Sequence, residues 1–168
     1  LNYRSHAEES GMAVPEVPAT FTKYPASLAG PFDEIVLDSE TADWEVELVV
    51  VIGARCDQVA EANGWSHVAG LAVGQDISDR TLQFAAGAQF SLGKSRRGYG
   101  PIGPWLVTPD ELADPDDLAL GCSIDGETVQ SARTSDLIFS VPQLIAELSV
   151  VLPLLPGDVI FTGTPAGV

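Results

Sequence analysis

The chain has 168 residues, of which 45% are hydrophobic and 19% charged, and its formal net charge is −16. This composition predicts one globular domain with an ordinary core and excludes a disordered or repeat protein. With only eight lysines and arginines the chain lacks the basic clusters that bind nucleic acid. Its apolar runs are far short of the ~20 residues that span a bilayer, and two cysteines offer no disulfide framework, so we expect a cytoplasmic protein without a membrane partner.

The first half of the chain mixes proline-rich loops with short helices and strands. In chain order we predict a helix at Ser5–Gly11, strands at Glu34–Leu37 and Trp44–Ile52, a short helix at Gln58–Asn63, a buried strand at Val68–Gln75 and a helix from Asp79 to Phe84. Ser78 or Asp79 is the expected N-cap of the last helix, because short polar side chains accept hydrogen bonds from a first helical turn.

The second half of the chain is richer in strands. We predict strands at Trp105–Thr108, Ala119–Ile124 and Glu127–Ser131, an amphipathic helix at Val141–Val150 and a final strand at Val159–Phe161. Asp125 and Gly126 form a two-residue hairpin turn between two of these strands. Strands outnumber helices and are joined largely by turns, which predicts an α+β fold, mainly β, with a mixed or antiparallel sheet.

Three acidic residues stand in or beside predicted buried strands. Glu45 and Glu47 are two residues apart, so on a strand they share one face. Asp76 ends the next buried strand and can deliver a third carboxylate to the same place. Burying like charges is costly unless a cation joins them, and three carboxylates suit a hard cation such as Mg²⁺ or Mn²⁺. The alternative is that both glutamates lie at the solvated start of an edge strand.

Two further groups are candidates for chemistry, each with a plain structural alternative. His6 and Glu9 share a face of the first predicted helix, where a carboxylate can orient an imidazole that acts as a general base; most such pairs are surface ion pairs. Lys94, in a glycine-containing segment, is a candidate partner for an anion or enolate. Arg80 and Gln83 share a helical face, whose alternative is a solvated surface.

The last residues, TGTPAG, follow a strand and combine hydroxyls with glycines. Exposed backbone N–H groups in such a loop can receive a carboxylate or an oxyanion. Ordinary turn chemistry explains Gly and Pro there almost as well.

The chain resembles the fumarylacetoacetate hydrolase family in a series of segments that covers nearly its whole length. In order these are NYRSHAEE, FTKYPASLAGP, DWEVELVVVIG, GQDISDRTLQ, SLGKS, PIGPWLVTPDEL, DGETVQ and PGDVIFTGTPAGV. Each segment alone is weak evidence, whereas their spaced combination is specific. The resemblance implies a mixed β-roll with short helices and a homodimer. Residues 1–168 form a single catalytic domain on this interpretation, and we expect the protein to extend beyond both ends.

The resemblance also implies a role for each candidate residue. It gives one divalent cation, Mg²⁺ or Mn²⁺, to Glu45, Glu47 and Asp76; water activation to His6 with Glu9; enolate stabilisation to Lys94; and substrate contacts to Arg80, Gln83 and Thr164. The expected partner is a small anionic oxo-acid.

The reaction that this site predicts is hydrolysis of a carbon–carbon bond in a β-diketo acid of the acylpyruvate or fumarylpyruvate type, through an enolate held at the metal. The same machinery is compatible with oxaloacetate decarboxylation and with isomerisation of 2-hydroxyhepta-2,4-diene-1,7-dioate. A non-catalytic protein that binds a metal or an oxo-acid is a further alternative.

Overall fold

The computed structural model describes residues 1–87 and 89–168. The described strands are, in chain order, β1 (Leu28–Ala29), β2 (Ala42–Asp43), β3 (Val46–Ile52), β4 (Val68–Gln75), β5 (Ser78–Asp79), β6 (Gly100–Pro101), β7 (Ala119–Ile124), β8 (Glu127–Arg133) and β9 (Val159–Phe161). The described α-helices are α1 (Arg4–Ser10), α2 (Arg80–Ala85) and α3 (Val141–Val151). Short 3-10 helices lie at Pro25–Ser27, Glu61–His67, Pro109–Glu111 and Thr134–Asp136.

Strand β3 is the centre of the main sheet, with β4 on one side and β9 on the other, both antiparallel to it. β7 and β8 form an antiparallel hairpin, β2 pairs with β5 antiparallel, and β1 pairs with β6 parallel. These small mixed sheets with short helices confirm the predicted α+β, mainly β class.

Two hydrophobic clusters lie along one face of β3, and its other face is buried as well, since Glu47 and Val49 are 3% and 0% exposed. Leu48, Val50 and Ile52 pack in the main core, where α3 contributes Val141 and Ile145. A second, smaller cluster joins Val46, at the start of β3, to Tyr3 and Leu120. Because both faces of β3 are covered, its sequence is apolar at almost every position.

Local chemistry explains where several elements begin and turn. The Ser140 hydroxyl accepts from the Gln143 backbone N–H and the Gln143 side chain accepts from the Ser140 backbone N–H, which starts α3 with a capping box. Asp125 and Gly126 have φ values of 51° and 86°, so the β7–β8 turn has the left-handed backbone that this dipeptide favours. The Asp79 carboxylate accepts from the Leu82 backbone N–H and so caps α2 as predicted.

Three predicted elements differ from the observed ones. The strand predicted at Glu34–Leu37 is wrong: this segment forms no ladder, and Val36 and Leu37 are 68% and 63% exposed. The strand predicted at Trp105–Thr108 is reduced to one bridge between Val107 and Leu71. Prolines at 104 and 109 flank that segment, and because proline has no backbone N–H they limit its pairing.

The third difference lies after β3. The short helix predicted at Gln58–Asn63 is a 3-10 helix that begins only at Glu61 and continues to His67. Gln58 has a φ of 53°, a left-handed backbone conformation that no right-handed helix includes. Among the described residues, no helix is both long enough and apolar enough to cross a membrane.

Candidate active site

Three carboxylates meet where β3 begins and β4 ends. Glu45 immediately precedes β3, and its carbonyl accepts from the backbone N–H of Asp76 at 2.8 Å. One carboxylate oxygen from each of Glu45, Glu47 and Asp76 lies within 4.8 Å of the others. The three residues are 5%, 3% and 1% exposed, and β3 is a central strand, so the alternative of a solvated edge does not hold.

The buried lysine Lys94 lies against two of these carboxylates. Its Nζ is 2.7 Å from Glu45 Oε2 and 2.9 Å from Asp76 Oδ2. Burial by itself would lower the pKa of Lys94, but Glu45 and Asp76 hold that pKa above its ordinary value. Burial likewise opposes the ionisation of Glu45, whereas Lys94 and Arg80 hold the pKa of that carboxyl below its ordinary value. Both groups are therefore charged near neutral pH.

Glu47 has a different environment. None of the ion pairs within the described residues includes it, and its Oε2 accepts one hydrogen bond, 2.6 Å, from the backbone N–H of Gly163. Burial, together with repulsion from Asp76 and Glu45, raises the pKa of Glu47 well above its ordinary value. Glu47 is therefore a buried carboxyl without a cationic side chain paired to it. A hard divalent cation prefers oxygen ligands, so the carboxylates of Glu45, Glu47 and Asp76 fit such an ion.

A second buried lysine, Lys23, contacts the same cluster and was not predicted. Its Nζ is 2.7 Å from Asp76 Oδ1, and it also donates to the backbone carbonyl of Lys94. The backbone N–H groups of its two neighbours donate to Ser91 Oγ and Ser95 Oγ, which ties this segment to the loop that carries Lys94. The available signal was the scarcity of basic residues, since a lysine among aromatic and apolar neighbours is unusual in so acidic a chain.

Arg80 and Gln83 project from α2 toward the carboxylates. Arg80 Nη1 is 2.7 Å from Glu45 Oε1 and donates to Gln83 Oε1 at 3.1 Å. On the other side of the guanidinium, Nη2 is 2.7 Å from Asp43 Oδ2. The loop at Lys94 packs directly on this helix, because a Cβ at Gly93 would overlap the backbone of Gln83. The predicted pair thus lies on the buried side of α2, and the solvated alternative does not hold for Gln83, which is 5% exposed.

The predicted dyad is carried by α1. His6 Nδ1 is 3.5 Å from Glu9 Oε2, longer than a strong hydrogen bond. Glu9 also accepts from the backbone N–H of Gly167 at 3.1 and 3.2 Å, so the helix is docked on the TGTPAG loop. Burial lowers the pKa of His6 below its ordinary value of 6.5, with Glu45 and Glu9 acting in the opposite direction. The imidazole is therefore neutral near pH 7.

Thr164 lies in the TGTPAG loop, 2% exposed. Its hydroxyl donates to the carbonyl of Val46 at 2.9 Å and accepts from Gln130 Nε2 at 2.8 Å. A hydroxyl has one proton, so in this arrangement the Thr164 side chain has no further hydrogen to donate to a substrate. Its predicted contact with substrate therefore depends on the loop backbone.

The whole chain, residues 1–168, matches the family described as fumarylacetoacetate (FAA) hydrolase C-terminal. The chain belongs to this family. The match establishes the family and the fold, and because one fold can carry several activities, the reaction has to be argued from the site.

Relatives of this fumarylacetoacetate hydrolase domain are named for different activities. A "Putative hydrolase" of Burkholderia cenocepacia is 51% identical over all of this chain and 60% of its own length. The crystal structure of a "putative HpcE protein" from Mycobacterium smegmatis has a TM-score of 0.97 and 57% identity over 99% of this chain and 60% of that one. A 5-carboxymethyl-2-hydroxymuconate delta-isomerase from the same organism has a TM-score of 0.89 and 38% identity over 99% of this chain and 66% of that one. The chain thus spans about 60% of the length of the curated relatives it matches.

Proposed function

We propose that this domain is the catalytic part of a metal-dependent enzyme that hydrolyses a carbon–carbon bond in a small β-diketo acid of the acylpyruvate or fumarylpyruvate type. The observation that carries the proposal is the cluster of three buried carboxylates within 4.8 Å of one another, with Lys94 against two of them and the His6–Glu9 pair on the adjoining helix. The cluster combines three carboxylates that can bind a metal with cationic side chains. An enzyme whose substrate develops negative charge during the reaction needs positive charge of this kind nearby.

Glu45, Glu47 and Asp76 would hold one divalent cation, Mg²⁺ or Mn²⁺. When bound, such a cation supplies a Lewis acid that polarises an oxo-acid substrate. The raised pKa of Glu47 supports this assignment, because the positive charge that this carboxyl lacks is what a cation brings. Lys94 and Lys23 neutralise part of the negative charge of the cluster, since both ammonium groups contact Asp76.

His6 is the proposed general base. Its neutral imidazole takes a proton from water, and the water oxygen bonds to the distal carbonyl carbon of the diketo acid. Breakage of the adjoining carbon–carbon bond releases the acyl group as a carboxylic acid and leaves the electron pair of that bond on pyruvate as an enolate. The enolate carbon then takes up the proton that the imidazole received, which restores neutral His6. Glu9 orients the imidazole. Its carboxylate also accepts from the Gly167 N–H, which holds α1 against the TGTPAG loop.

Lys94 is proposed to stabilise the developing enolate oxygen with its ammonium group, which the surrounding carboxylates keep protonated. Arg80 and Gln83 are proposed to bind the substrate's carboxylate or oxo groups. In this structure Arg80 is engaged with Glu45 and Asp43, so substrate binding would exchange part of those contacts for contacts with an anion. We propose that Thr164 contributes through its loop, and that the whole protein acts as a homodimer.

A second candidate is isomerisation of a 2-hydroxyhepta-2,4-diene-1,7-dioate type of substrate. The observation that favours it is the 36% identity, over 99% of this chain, with a structure named as 2-hydroxyhepta-2,4-diene-1,7-dioate isomerase from Mycobacterium marinum. The relative at 51% identity is named only as a putative hydrolase, without a substrate. Isomerisation needs proton transfer without attack by water, and the His6–Glu9 pair suits either task. Oxaloacetate decarboxylation and non-catalytic oxo-acid binding use the same carboxylate cluster.

The deciding experiment measures pyruvate release from acetylpyruvate and from oxaloacetate, and the absorbance change of a conjugated oxo-heptenedioate. Each substrate is tested with Mg²⁺, with Mn²⁺ and with excess chelator. The proposal expects metal-dependent pyruvate release from acetylpyruvate. Turnover of the heptenedioate alone would replace it with the isomerase, and absence of turnover for every oxo-acid would overturn the enzymatic function. Light scattering on the same samples tests the homodimer.

A further inference from the structure

The side chain of Gln130 reaches from the β7–β8 hairpin into the base of the candidate site, although none of the proposed roles uses it. Gln130 is 2% exposed, and its amide makes three hydrogen bonds to other elements. Oε1 accepts from the Val46 backbone N–H at 2.9 Å, and Nε2 donates to Thr164 Oγ1 at 2.8 Å and to the Pro165 carbonyl at 3.0 Å. Both amide hydrogens are therefore committed.

These bonds close a ring between two parts of the site. Val46, the first residue of β3, stands between Glu45 and Glu47 in the sequence. Its carbonyl accepts from the Thr164 hydroxyl, and the oxygen of that hydroxyl accepts in turn from Gln130. The backbone of Val46 is therefore bound twice, once directly by Gln130 and once through Thr164. The adjacent Gly163 N–H bonds Glu47, so the loop that this ring positions also adjoins the carboxylates.

The direction of each bond in the ring is determined. The Val46 carbonyl can only accept, so the one proton of the Thr164 hydroxyl points to it, and the amide of Gln130 must donate to the oxygen. A side chain without a donor at this position would leave the Thr164 oxygen and the Pro165 carbonyl without this partner. Gln130 touches none of the three carboxylates, and its influence on chemistry has to pass through the loop.

We propose that Gln130 is a positioning residue that places the TGTPAG loop, through Thr164, for binding the oxo-acid, while the affinity of the carboxylates for the cation does not depend on it. This inference rests on the proposed function, since it concerns the oxo-acid half of the same site. A purely structural role for a buried amide predicts a different result, namely lower stability with no selective effect on ligand binding.

The test uses Gln130→Met, Thr164→Val and the double variant, with Mn²⁺ and oxalate as probes. Calorimetry measures Mn²⁺ affinity without oxalate, then oxalate affinity at saturating Mn²⁺. Each single variant is expected to lose on the order of tenfold in oxalate affinity, about the effect of one or two hydrogen bonds, and to retain Mn²⁺ affinity within about twofold. The double variant is expected to lose no more than either single one, because residues that act through each other are not additive.

Thr134→Val is the matched control. Thr134 is also buried, and its hydroxyl makes two part-buried hydrogen bonds beside the same hairpin, accepting from the Leu118 N–H at 2.8 Å and donating to the Asp116 carbonyl at 3.0 Å. It has no bond to the TGTPAG loop, so this variant should lower thermal stability and leave oxalate affinity unchanged. An equal loss of oxalate affinity in Thr134→Val and Gln130→Met would overturn the inference, as would multiplying effects in the double variant.

A second variant covers failure to fold. Gln130→Asn keeps a buried amide but shortens its reach, and it must show the same selective loss of oxalate affinity. If the wild-type protein binds neither Mn²⁺ nor oxalate, the proposed function fails and this inference fails with it. If the wild type binds both and the Gln130 variants show no selective loss, only the inference fails.

Discussion

Replacing Glu47 by Gln should make the metal-free protein more stable and remove its response to Mn²⁺. The substitution preserves size, and the amide oxygen can still accept from the Gly163 N–H, which is 2.6 Å from Glu47 Oε2. What it removes is the free-energy cost of placing a third ionisable carboxyl beside Glu45 and Asp76, whether that carboxyl stays charged or has to take up a proton. Because the folded-state pKa of Glu47 is raised, this carboxyl has no destabilising effect below its ordinary value of 4.5, where it is protonated in both the folded and the unfolded states. Its destabilising effect grows as the pH rises from 4.5 toward the raised folded-state pKa.

The magnitude follows from the geometry. At 4.8 Å, the limit within which the ligand atoms lie, two unit charges repel by about 3.5 kcal/mol at an effective dielectric constant of ~20. Lys94 offsets part of this repulsion, so we expect a net gain of about 1–2 kcal/mol, roughly 2–8 °C in Tm for a domain of this size. In the wild type, Mn²⁺ at 100 times its Kd should stabilise by about 2.7 kcal/mol, roughly 5–11 °C.

The assay is thermal unfolding with excess chelator and with Mn²⁺, at several pH values. Without metal the Tm of Glu47→Gln should exceed that of the wild type at pH 7, and the difference should shrink as pH falls toward 4.5. Glu127→Gln, on an exposed position of β8, is the control and should leave both the Tm and the Mn²⁺ response unchanged. An equal rise in Tm with Mn²⁺ in wild type and Glu47→Gln would refute the assignment of Glu47 as a metal ligand.

The other predictions concern the groups around the carboxylates. His6→Ala should lower acetylpyruvate hydrolysis by roughly 10²–10⁴-fold and spare any oxaloacetate decarboxylation, since only hydrolysis needs an activated water; equal losses in both pyruvate-release assays would count against the general-base role. Because burial lowers the pKa of His6, the acidic limb of the kcat/KM profile should lie below pH 6.5, and a limb above that value would contradict the neutral imidazole. Lys94→Met should lower activity by roughly 10²–10³-fold and lower the metal-free Tm, because it leaves Glu45 and Asp76 without their shared cation; circular dichroism should then show recovery of Tm with Mn²⁺.

Elements with a strong local signal could be predicted from the sequence. β4 and β9 have the predicted bounds, Val68–Gln75 and Val159–Phe161, because each is a short apolar run bounded by turn residues or by a charged end. The Asp125–Gly126 turn was predictable because this dipeptide accepts the left-handed backbone that its hairpin requires. The convergence of the three carboxylates was also predictable, since strand alternation places Glu45 and Glu47 on one face.

What could not be predicted depends on contacts between distant parts of the chain. Apolar residues at 35–37 resemble a strand, but within the described residues this segment pairs with no other, and sequence periodicity contains no information about a partner. Lys23 reaches Asp76 across 53 positions, and Gln130 reaches Thr164 across 34. Gln130 is an ordinary polar residue in its local sequence, and although Lys23 stands out by its charge, the sequence does not show which partner it reaches.

The contacts of Lys94, Lys23 and Arg80 bear on the order in which the protein matures. These three cationic side chains pair with Glu45 and Asp76, so two of the three carboxylates have counter-ions without any added metal, and only Glu47 is left unpaired among the described ion pairs. Small zinc domains stay unfolded until their ion arrives, because the free energy of metal binding is their free energy of folding. Here the chain supplies counter-ions for two of the three ligands, so folding can be completed first and the cation can be acquired afterwards by a folded protein.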